Sequence, residues 1–388
     1  MNCLFINNIF PLFARANSGA SVRSMRIIRA LAKLGNVDVI SFVDGDESDL
    51  ANCSVIYSKS VSNKKGLLTR KDKLKLIFRH SNPYDVFPVD TVKKGVIDKY
   101  VRQKNYDCIV TRYINMVCEC GLLQYSDRLI IDIDDDPESA AKMIGEISDS
   151  LFYRYYQTLF YSRFVGQATR KILQTTKHSF YSEPRRTYPN ADFLPNISFF
   201  SEPLPSVEYK STLNNILFVG NMDYYPNVLS LEYFLRNIFP PILQLLPTVH
   251  LRIVGKLNNN KLLTLCQSTP NVVLCGYVED IKEEYRRCRC AIIPLLHGTG
   301  TSLKLIEAMS LNRAVVTTSV GKRGLHEAFV AGEDYLLADN DKDFVDSVLK
   351  LLHDENLARQ LSANACKKIK KYYSEKMFND IVKKAIIG

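Results

Sequence analysis

The sequence lacks any apolar run long enough to cross a membrane, which argues against an integral membrane protein. A transmembrane helix needs roughly 20 consecutive, mostly apolar residues, and no run of even about 18 occurs here. The opening residues, Met1 to Ile6, are too few and too poor in positive charge for a secretory signal peptide. We therefore expect a cytoplasmic protein.

The ten cysteines show no regular spacing and no Cys-x-x-Cys pair. Zinc sites and disulfide frameworks depend on such spacings, so neither is indicated. The cysteines closest in sequence are Cys118 with Cys120 and Cys288 with Cys290. We expect reduced and mostly buried thiols.

Positive charge exceeds negative charge, with 51 Lys and Arg against 41 Asp and Glu, a formal net charge of +10. No helix-turn-helix, RNP-like or zinc-finger pattern accompanies this charge, so no nucleic-acid partner is expected. Residues 64–79 carry a cluster of cations between apolar residues, namely Lys64, Lys65, Arg70, Lys71, Lys73, Lys75 and Arg79. This segment predicts peripheral binding to an anionic membrane surface. An exposed helix that packs its leucines inward is the alternative.

Strand-like and helix-like segments alternate along the chain, which predicts an α/β protein with parallel sheets. The 388 residues, 46% hydrophobic and 24% charged, are typical of two globular domains. Candidate strands in the first half are residues 3–6, 37–43, 107–111 and 128–132, with a helix over 21–34. Prolines and serines in 195–206 predict a linker, and the βα pattern resumes after Asn214. The aromatic-rich run 152–164 is expected to pack as a helix in the first domain, with rings facing a lipid carrier as the alternative.

The most informative segment is a glycine-rich loop between a strand and a helix. The apolar run 291–293 ends at Pro294, Gly298 and Gly300 follow, and a helix is expected from Thr301. Glycines let the backbone approach a phosphate, and a helix start offers free N–H groups. Lys304 adds a positive charge, and Glu307 presents a carboxylate on the same helix face. An ordinary strand-to-helix turn with a solvated lysine and glutamate is the alternative.

Five segments in the same order resemble the nucleotide-sugar half of family 4 of the retaining glycosyltransferases. These are the "group 1" transferases of GT-B fold, and the resemblance is to a bacterial polysaccharide-associated branch. The segments are residues 216–227, 251–255, 272–280, 291–309 and 314–321. The resemblance implies two Rossmann-like domains facing across a cleft, with a last helix that crosses back to the first domain. It places an acceptor-binding domain at 1–200, a nucleotide-sugar-binding domain at 201–365 and the crossing helix at 366–388.

The resemblance also implies the site residues. Donor-binding positions are Gly220, Asn221, Gly255, Lys256, Tyr277, Val278, Gly298, Thr299, Gly300, Thr301, Ser302, Leu303, Lys304 and Glu307. Lys304, Gly19 and Arg23 are implied near the reacting diphosphate, which itself helps to deprotonate the acceptor, so no dedicated nucleophile is expected. Acceptor contacts are expected from Arg15, Arg112, Asp134 and Asp135. The expected co-substrate is a nucleotide-diphosphate sugar, with no metal and no other cofactor.

The sequence departs from the family pattern at three places. The first acid of the usual Glu-x7-Glu signature is replaced by Thr299, while the second is Glu307. The basic pair after the opening strand of the second domain is absent, and Asn221 and Asn227 occupy that region. Where the family has Gly-Gly, this chain has Gly19 followed by alanine. A helix cap followed by a surface arginine is the alternative interpretation of that loop.

The acidic run 132–136 follows a predicted strand and allows two interpretations. Carboxylates at a strand end clamp Mg²⁺ or Mn²⁺ onto a diphosphate in transferases of the other common fold, GT-A. Against this, the nucleotide-site motifs lie in the second half of the chain. We favour a loop in which Asp134 or Asp135 contacts the acceptor or caps the helix expected near Pro137.

The function implied is transfer of a sugar from a nucleotide-diphosphate sugar to a glycan or polyprenyl-lipid-linked acceptor with retention of configuration. The expected setting is synthesis of a bacterial surface polysaccharide at the inner face of the plasma membrane. Two alternatives stay open. A nucleotide-sugar epimerase of the same fold would act on the donor without an acceptor, and a non-catalytic pseudo-transferase would bind the donor without releasing nucleotide.

Overall fold

The computed structural model describes residues 1–8, 11–13, 19–61, 82–148, 150–183, 190–198 and 214–388. The chain forms two compact units. Unit 1 comprises Met1–Pro195 and Lys376–Gly388, and unit 2 comprises Asn196–Glu375. The divisions thus lie at 195 and 375, where the sequence predicts them at 200 and 365.

Unit 1 is built on a parallel sheet that has seven strands in its described residues, in the order β3-β2-β1-β4-β5-β6-β7. The strands are β1 (Asn2–Asn7), β2 (Asn36–Ser41), β3 (Cys53–Ser58), β4 (Cys108–Arg112), β5 (Leu129–Asp134), β6 (His178–Tyr181) and β7 (Ala191–Phe193). The central strands β1, β4 and β5 are buried almost throughout, as expected for a sheet covered on both faces. The four strands predicted from sequence are confirmed.

The helices of unit 1 connect these strands as crossovers. They are α1 (Gly19–Ala32), α2 (Pro83–Val86), α3 (Thr91–Gln103), α4 (Ile114–Glu119), α5 (Pro137–Glu146), α6 (Leu151–Tyr155) and α7 (Ser162–Thr175). A 3-10 turn covers Leu122–Arg128, and a π-helical segment, Tyr156–Tyr161, joins α6 to α7 without a break. The predicted helix over 21–34 is confirmed as α1, which begins two residues earlier.

Unit 2 repeats the architecture with a parallel sheet of six strands in the order β10-β9-β8-β11-β12-β13 across the residues described. The strands are β8 (Asn215–Val219), β9 (His250–Val254), β10 (Val272–Gly276), β11 (Cys290–Ile293), β12 (Ala314–Thr317) and β13 (Leu336–Leu337). The helices are α8 (Tyr225–Tyr233), α9 (Phe239–Leu245), α10 (Asn260–Ser268), α11 (Ile281–Arg286), α12 (Leu303–Ser310), α13 (Asp341–His353) and α14 (Glu355–Tyr372), with a π-helical segment, Phe234–Ile238, between α8 and α9.

The strand order reverses at one point in each sheet. In unit 1 the reversal lies between β1 and β4, and in unit 2 it lies between β8 and β11. Loops at the carboxyl ends of two such neighbouring strands lead to opposite faces of the sheet and leave a crevice between them, where open α/β sheets bind ligands. The fold therefore directs attention in unit 2 to the loops that follow β8 and β11.

The last helix, α15 (Glu375–Ile387), belongs to unit 1. It buries Phe378, Val382 and Ile386, and Lys177 of unit 1 donates a hydrogen bond from Nζ to the carbonyl of Ile386 at 3.1 Å. The predicted return of the C-terminal helix to the first domain is confirmed. The predicted α/β class with two Rossmann-like domains is confirmed as well.

Three further expectations from the sequence concern the cysteines, membrane-spanning helices and the basic segment. All ten cysteines are free and eight of them are buried, as expected. In the part of the chain that is described, no helix has both the length and the apolarity needed to span a bilayer. The basic segment 64–79 lies outside the described residues.

Candidate functional site

The glycine-rich loop of unit 2 leaves the sheet at the point of strand reversal. The strand β11 is buried at every position, and the chain then passes Pro294 and the two glycines before α12 begins at Leu303. Gly300 has a φ of +70°, a left-handed conformation that favours glycine. The predicted sequence of strand, loop and helix is confirmed, with Ser302 at the N-cap position of α12.

Lys304 lies in the first turn of α12 and points toward the neighbouring strand. Its Nζ donates a hydrogen bond to Oδ1 of Asn227 at 2.6 Å and lies 5.1 Å from the centroid of the Phe218 ring. Phe218 belongs to β8 and Asn227 to α8, so the amine bridges the two sides of the strand reversal. Burial lowers the pKa of Lys304 to about 7, although the carboxylate of Glu307 acts in the opposite direction.

Glu307 lies one turn further along α12 and is only 7% exposed. Burial raises its pKa to about 7, against the opposing effect of Lys304. Among the described residues, none donates a hydrogen bond to its carboxylate, and the buried Oγ of Ser302 also has no partner there. Buried polar groups in folded proteins usually have a hydrogen-bond partner, so these two side chains are candidates for contact with a ligand.

Other side chains fix the loop in place. Arg323 donates from Nη1 to the carbonyl of Gly298 at 2.7 Å, and Oγ1 of Thr318 donates to the carbonyl of Leu295 at 2.6 Å. Sequence reasoning missed Arg323, whose only signal is its position between two glycines after the apolar strand β12. These contacts hold the loop backbone before any ligand binds.

The loops after β8, β9 and β10 lie along the same carboxyl edge of the sheet. Gly255 has a φ of +137°, and a Cβ added there would lie 1.8 Å from the carbonyl oxygen of Gly220. Only glycine therefore allows these two loops to approach. Lys256 is exposed at the end of β9, and Tyr277 is 64% exposed at the end of β10.

Strand ends at one edge thus bring together all the positions predicted to bind the donor. They are Gly220, Asn221, Gly255, Lys256, Tyr277, Val278, Gly298, Thr299, Gly300, Thr301, Ser302, Leu303, Lys304 and Glu307. Asn227, which the sequence analysis noted only as a replacement for a basic residue, joins them as the partner of Lys304. The edge offers one half-buried amine, that of Lys304, one buried carboxylate, that of Glu307, and the exposed ring of Tyr277.

The corresponding edge of unit 1 holds a buried ion-pair network. Asp132, at 0% exposure, accepts from Nη2 of Arg23 at 2.7 Å and from Nε of Arg112 at 2.8 Å. Arg112 also pairs with Asp134, and Arg23 donates from Nη1 to the carbonyl of Leu194 at 3.0 Å. Burial alone would raise the pKa of Asp132, but the two arginines overcome this effect and lower it.

This network changes how several predicted residues are interpreted. The guanidinium groups of Arg23 and Arg112 both bind protein acceptors. The predicted contact of these two arginines with a ligand therefore stays a prediction. Gly19 is the first residue of α1, and Asp135 is half-buried after β5. Arg15 lies outside the described residues.

The aspartates of the acidic run 132–136 have different roles in the structure. Asp136, and not Asp134 or Asp135, caps α5, accepting at Oδ2 from the backbone N–H of Ser139 at 2.6 Å. That part of the prediction was wrong because Pro137 occupies the first helical position, which makes the preceding residue the cap. Across the described ranges, no group of three or more His, Cys, Asp or Glu side chains is arranged to hold a metal.

Comparison with known proteins adds a family match over part of the chain and a fold for almost all of it. Residues 214–354 match the sequence model of the family described as "Glycosyl transferases group 1". A relative from Klebsiella pneumoniae, described as "Uncharacterized 44.6 kDa protein in cps region", is 22% identical over 312 residues. The match covers 76% of this chain and 78% of the relative.

Two solved structures extend the likeness over almost the whole chain. The sucrose-phosphate synthase from Thermosynechococcus elongatus matches with a TM-score of 0.70 at 15% identity, covering 98% of this chain and 97% of that one. The Anabaena protein HepE, in complex with UDP and glucose, matches with a TM-score of 0.65 at 12% identity, covering 100% and 99%. At these identities the likeness shows the fold, which is the GT-B fold expected from the sequence.

Proposed function

We propose that this chain, whose residues 214–354 match the group 1 glycosyl transferases, transfers a sugar from a nucleotide-diphosphate sugar to a glycan or lipid-linked acceptor. The proposed reaction retains the anomeric configuration. The observation that carries the proposal is the pair formed by the half-buried Lys304 and the buried Glu307 at the strand reversal of unit 2. The pair combines a cation suited to a diphosphate with a carboxylate that has no donor among the described residues.

Each end of the donor has a matching group in unit 2. The start of α12 and Lys304 bind the diphosphate, because unpaired N–H groups and a positive charge both attract phosphate oxygens. Glu307 accepts hydrogen bonds from the ribose hydroxyls. Tyr277 and Lys256, both exposed at neighbouring strand ends, lie on the side left for the base.

The reaction breaks the bond between the anomeric carbon and the diphosphate oxygen. An acceptor hydroxyl attacks that carbon from the same face, and its proton passes to the departing diphosphate. Negative charge grows on the diphosphate as the bond breaks, so a cation placed there stabilises the transition state more than the ground state. In unit 1, Gly19 allows close backbone approach, and Arg23 holds β5 through Asp132.

We place this activity in the synthesis of a bacterial surface polysaccharide, at the cytoplasmic face of the membrane. The relative described as lying in a cps region supports the setting, and the UDP bound in HepE supports a nucleotide-diphosphate donor.

A panel of UDP-, GDP-, ADP- and dTDP-sugars tests the proposal. We expect one nucleotide class to raise the melting temperature, because a bound donor stabilises the native state by mass action. Nucleotide release should then require an acceptor. Stabilisation without any release in the presence of acceptors would favour a pseudo-transferase, and conversion of the donor alone would favour an epimerase.

Glu307→Gln should weaken donor binding about tenfold to hundredfold at pH 8, which corresponds to roughly 1.5–3 kcal/mol for a lost charge-assisted hydrogen bond. Since the pKa of Glu307 is raised to about 7, the carboxyl takes up a proton as the pH falls below that value. The difference between wild type and variant should therefore shrink in acid. Calorimetry measures both effects, with the exposed Glu333→Gln as the matched control. Unchanged affinity in Glu307→Gln would remove this residue from the site.

Nucleotide release should persist in EDTA, because Lys304 and the start of α12 supply the positive charge. The Asp132 and Asp134 carboxylates are paired with arginines, which leaves them poorly suited to a metal. Release assays with and without EDTA provide the measurement. Loss of activity that Mn²⁺ restores would contradict a metal-free mechanism.

A further inference from the structure

Four large apolar side chains at the start of the long helix in unit 1 face solvent. Leu151 is 77% exposed, Phe152 79%, Tyr155 57% and Leu159 40%. Their spacing puts them on one side of α6 and the π-helical segment that continues it. We call these four residues the α6 face. Contiguous exposed apolar groups of this size are uncommon on a soluble surface and mark contact sites.

The α6 face is a fixed part of the fold. The hydroxyl of Ser150 caps the helix by accepting from the backbone N–H of Tyr153 at 3.3 Å. Tyr156 and Gln157 are buried. In α5, a Cβ added to Gly145 would lie 2.8 Å from the Cβ of Gln157, so the two helices pack closely. Because one side of the helix is anchored in this way, its other side stays exposed in a defined orientation.

The charged side chains of the α6 helix and its continuation are all positive. From Ser150 to Ser182 the sequence contains no Asp or Glu, whereas Glu146 and Asp149 precede the helix. The helix carries the exposed cations Arg154, Arg163 and Arg170. On α5, Glu138 pairs with Lys142 at 2.8 Å and with Arg170 at 3.8 Å, and the exposed Glu146 ends that helix. Arg154 donates from Nη2 to the carbonyl of Ser148 at 2.9 Å. Apolar residues flanked by cations are the combination that binds anionic lipid, since the rings enter the interface while the cations contact phosphates.

We propose that the α6 face docks on an anionic lipid bilayer, with Phe152 and Leu151 entering the interface and Arg154 and Arg163 contacting headgroup phosphates. A second copy of the chain is a poorer occupant. Apposing two α6 faces would bring the arginines of both copies together and leave their charge uncompensated. The surface belongs to unit 1, whereas the donor site belongs to unit 2. If the proposed function holds, the docking also brings the protein to lipid-linked acceptors.

The absence of tryptophan from the chain allows a direct test. Phe152→Trp places a single fluorescent reporter on the α6 face, and Leu245→Trp places one at a position of unit 2 that is 64% exposed. With vesicles of phosphatidylcholine and phosphatidylglycerol in equal parts, emission of Phe152→Trp should shift to the blue and that of Leu245→Trp should stay unchanged. An unshifted Phe152→Trp spectrum at low salt would overturn the proposal.

Flotation with the same vesicles gives a second measurement. The Phe152→Ser/Tyr155→Ser variant should bind more than about tenfold more weakly than wild type, because two large apolar side chains no longer enter the interface. Both positions are exposed, so the fold should persist. Leu245→Ser is the matched control. Salt should weaken binding of the wild type by screening the arginines.

Two other results would reject the α6 face as a lipid-docking surface. Flotation of the serine variant at the wild-type level, with loss of flotation in Lys71→Glu/Lys73→Glu/Lys75→Glu, would assign membrane binding to residues 64–79. A dimer seen by sedimentation without lipid, and lost in the serine variant, would assign the α6 face to self-association. Stabilisation by a donor, measured on the same samples, reports separately on the proposed function.

Discussion

Lys304→Ala should lower the rate of sugar transfer by about 100-fold to 1000-fold, the usual effect of removing one group that stabilises transition-state charge. The loss in donor affinity should be much smaller, since the diphosphate carries less charge before the bond breaks. Burial has already lowered the pKa of this lysine to about 7, so a bound diphosphate should draw a proton onto it above that pH. Single-turnover kinetics and calorimetry separate the two effects.

Lys261→Ala provides the control for this result, because the Lys261 side chain is 75% exposed and pairs only at the surface with Glu232. Proton uptake on donor binding at pH 8, measured in buffers of different ionisation enthalpy, should occur in wild type and disappear in Lys304→Ala. Equal losses in affinity and rate would instead mean that Lys304 serves ground-state binding.

Asp132→Ala should destabilise unit 1 by about 3–5 kcal/mol, because it leaves two buried guanidinium groups without their shared carboxylate. The side chains of Arg23 and Arg112 are 2% and 5% exposed, so water does not replace the lost partner. The lowered pKa of Asp132 means that wild type keeps this stabilisation at neutral pH and loses it only in strong acid. Thermal unfolding and hydrogen exchange at β4 and β5 measure the change.

Asp127→Ala is the matched variant, since Asp127 is exposed in the 3-10 turn that precedes β5. It should change stability by less than about 0.5 kcal/mol. A comparably small effect of Asp132→Ala would show that Asp134 alone balances both arginines. Donor binding in unit 2 should persist in either variant at temperatures where unit 1 stays folded.

Features set by neighbouring residues were predictable from sequence. The glycine-rich loop that ends at Leu303 follows from the local pattern of strand, glycines and helix, and it is present in the structure. The same pattern predicts Lys304 and Glu307 on one face of the helix, since they are three residues apart. The return of α15 to unit 1 was predictable only through the family resemblance. Helical periodicity in that region does not tell which unit the helix packs against.

Features set by distant residues were not predictable. Arg23 and Asp132 are separated by 109 positions, and their pairing depends on the order of strands in the sheet. The aromatic run 152–164 shows the same limit. The run packs as a helix through Tyr156 and Phe164, whereas Phe152 faces solvent, and the aromatic pattern alone does not distinguish these rings.

The discontinuous make-up of unit 1 has a consequence for biosynthesis. Its sheet emerges from the ribosome first, yet residues 376–388 follow only after the whole of unit 2 has been translated. Until then, the surface around Lys177 that receives Ile386 lacks its cover. The first unit to begin folding is therefore the last to be completed, and a nascent chain arrested before α15 should expose apolar surface to chaperones.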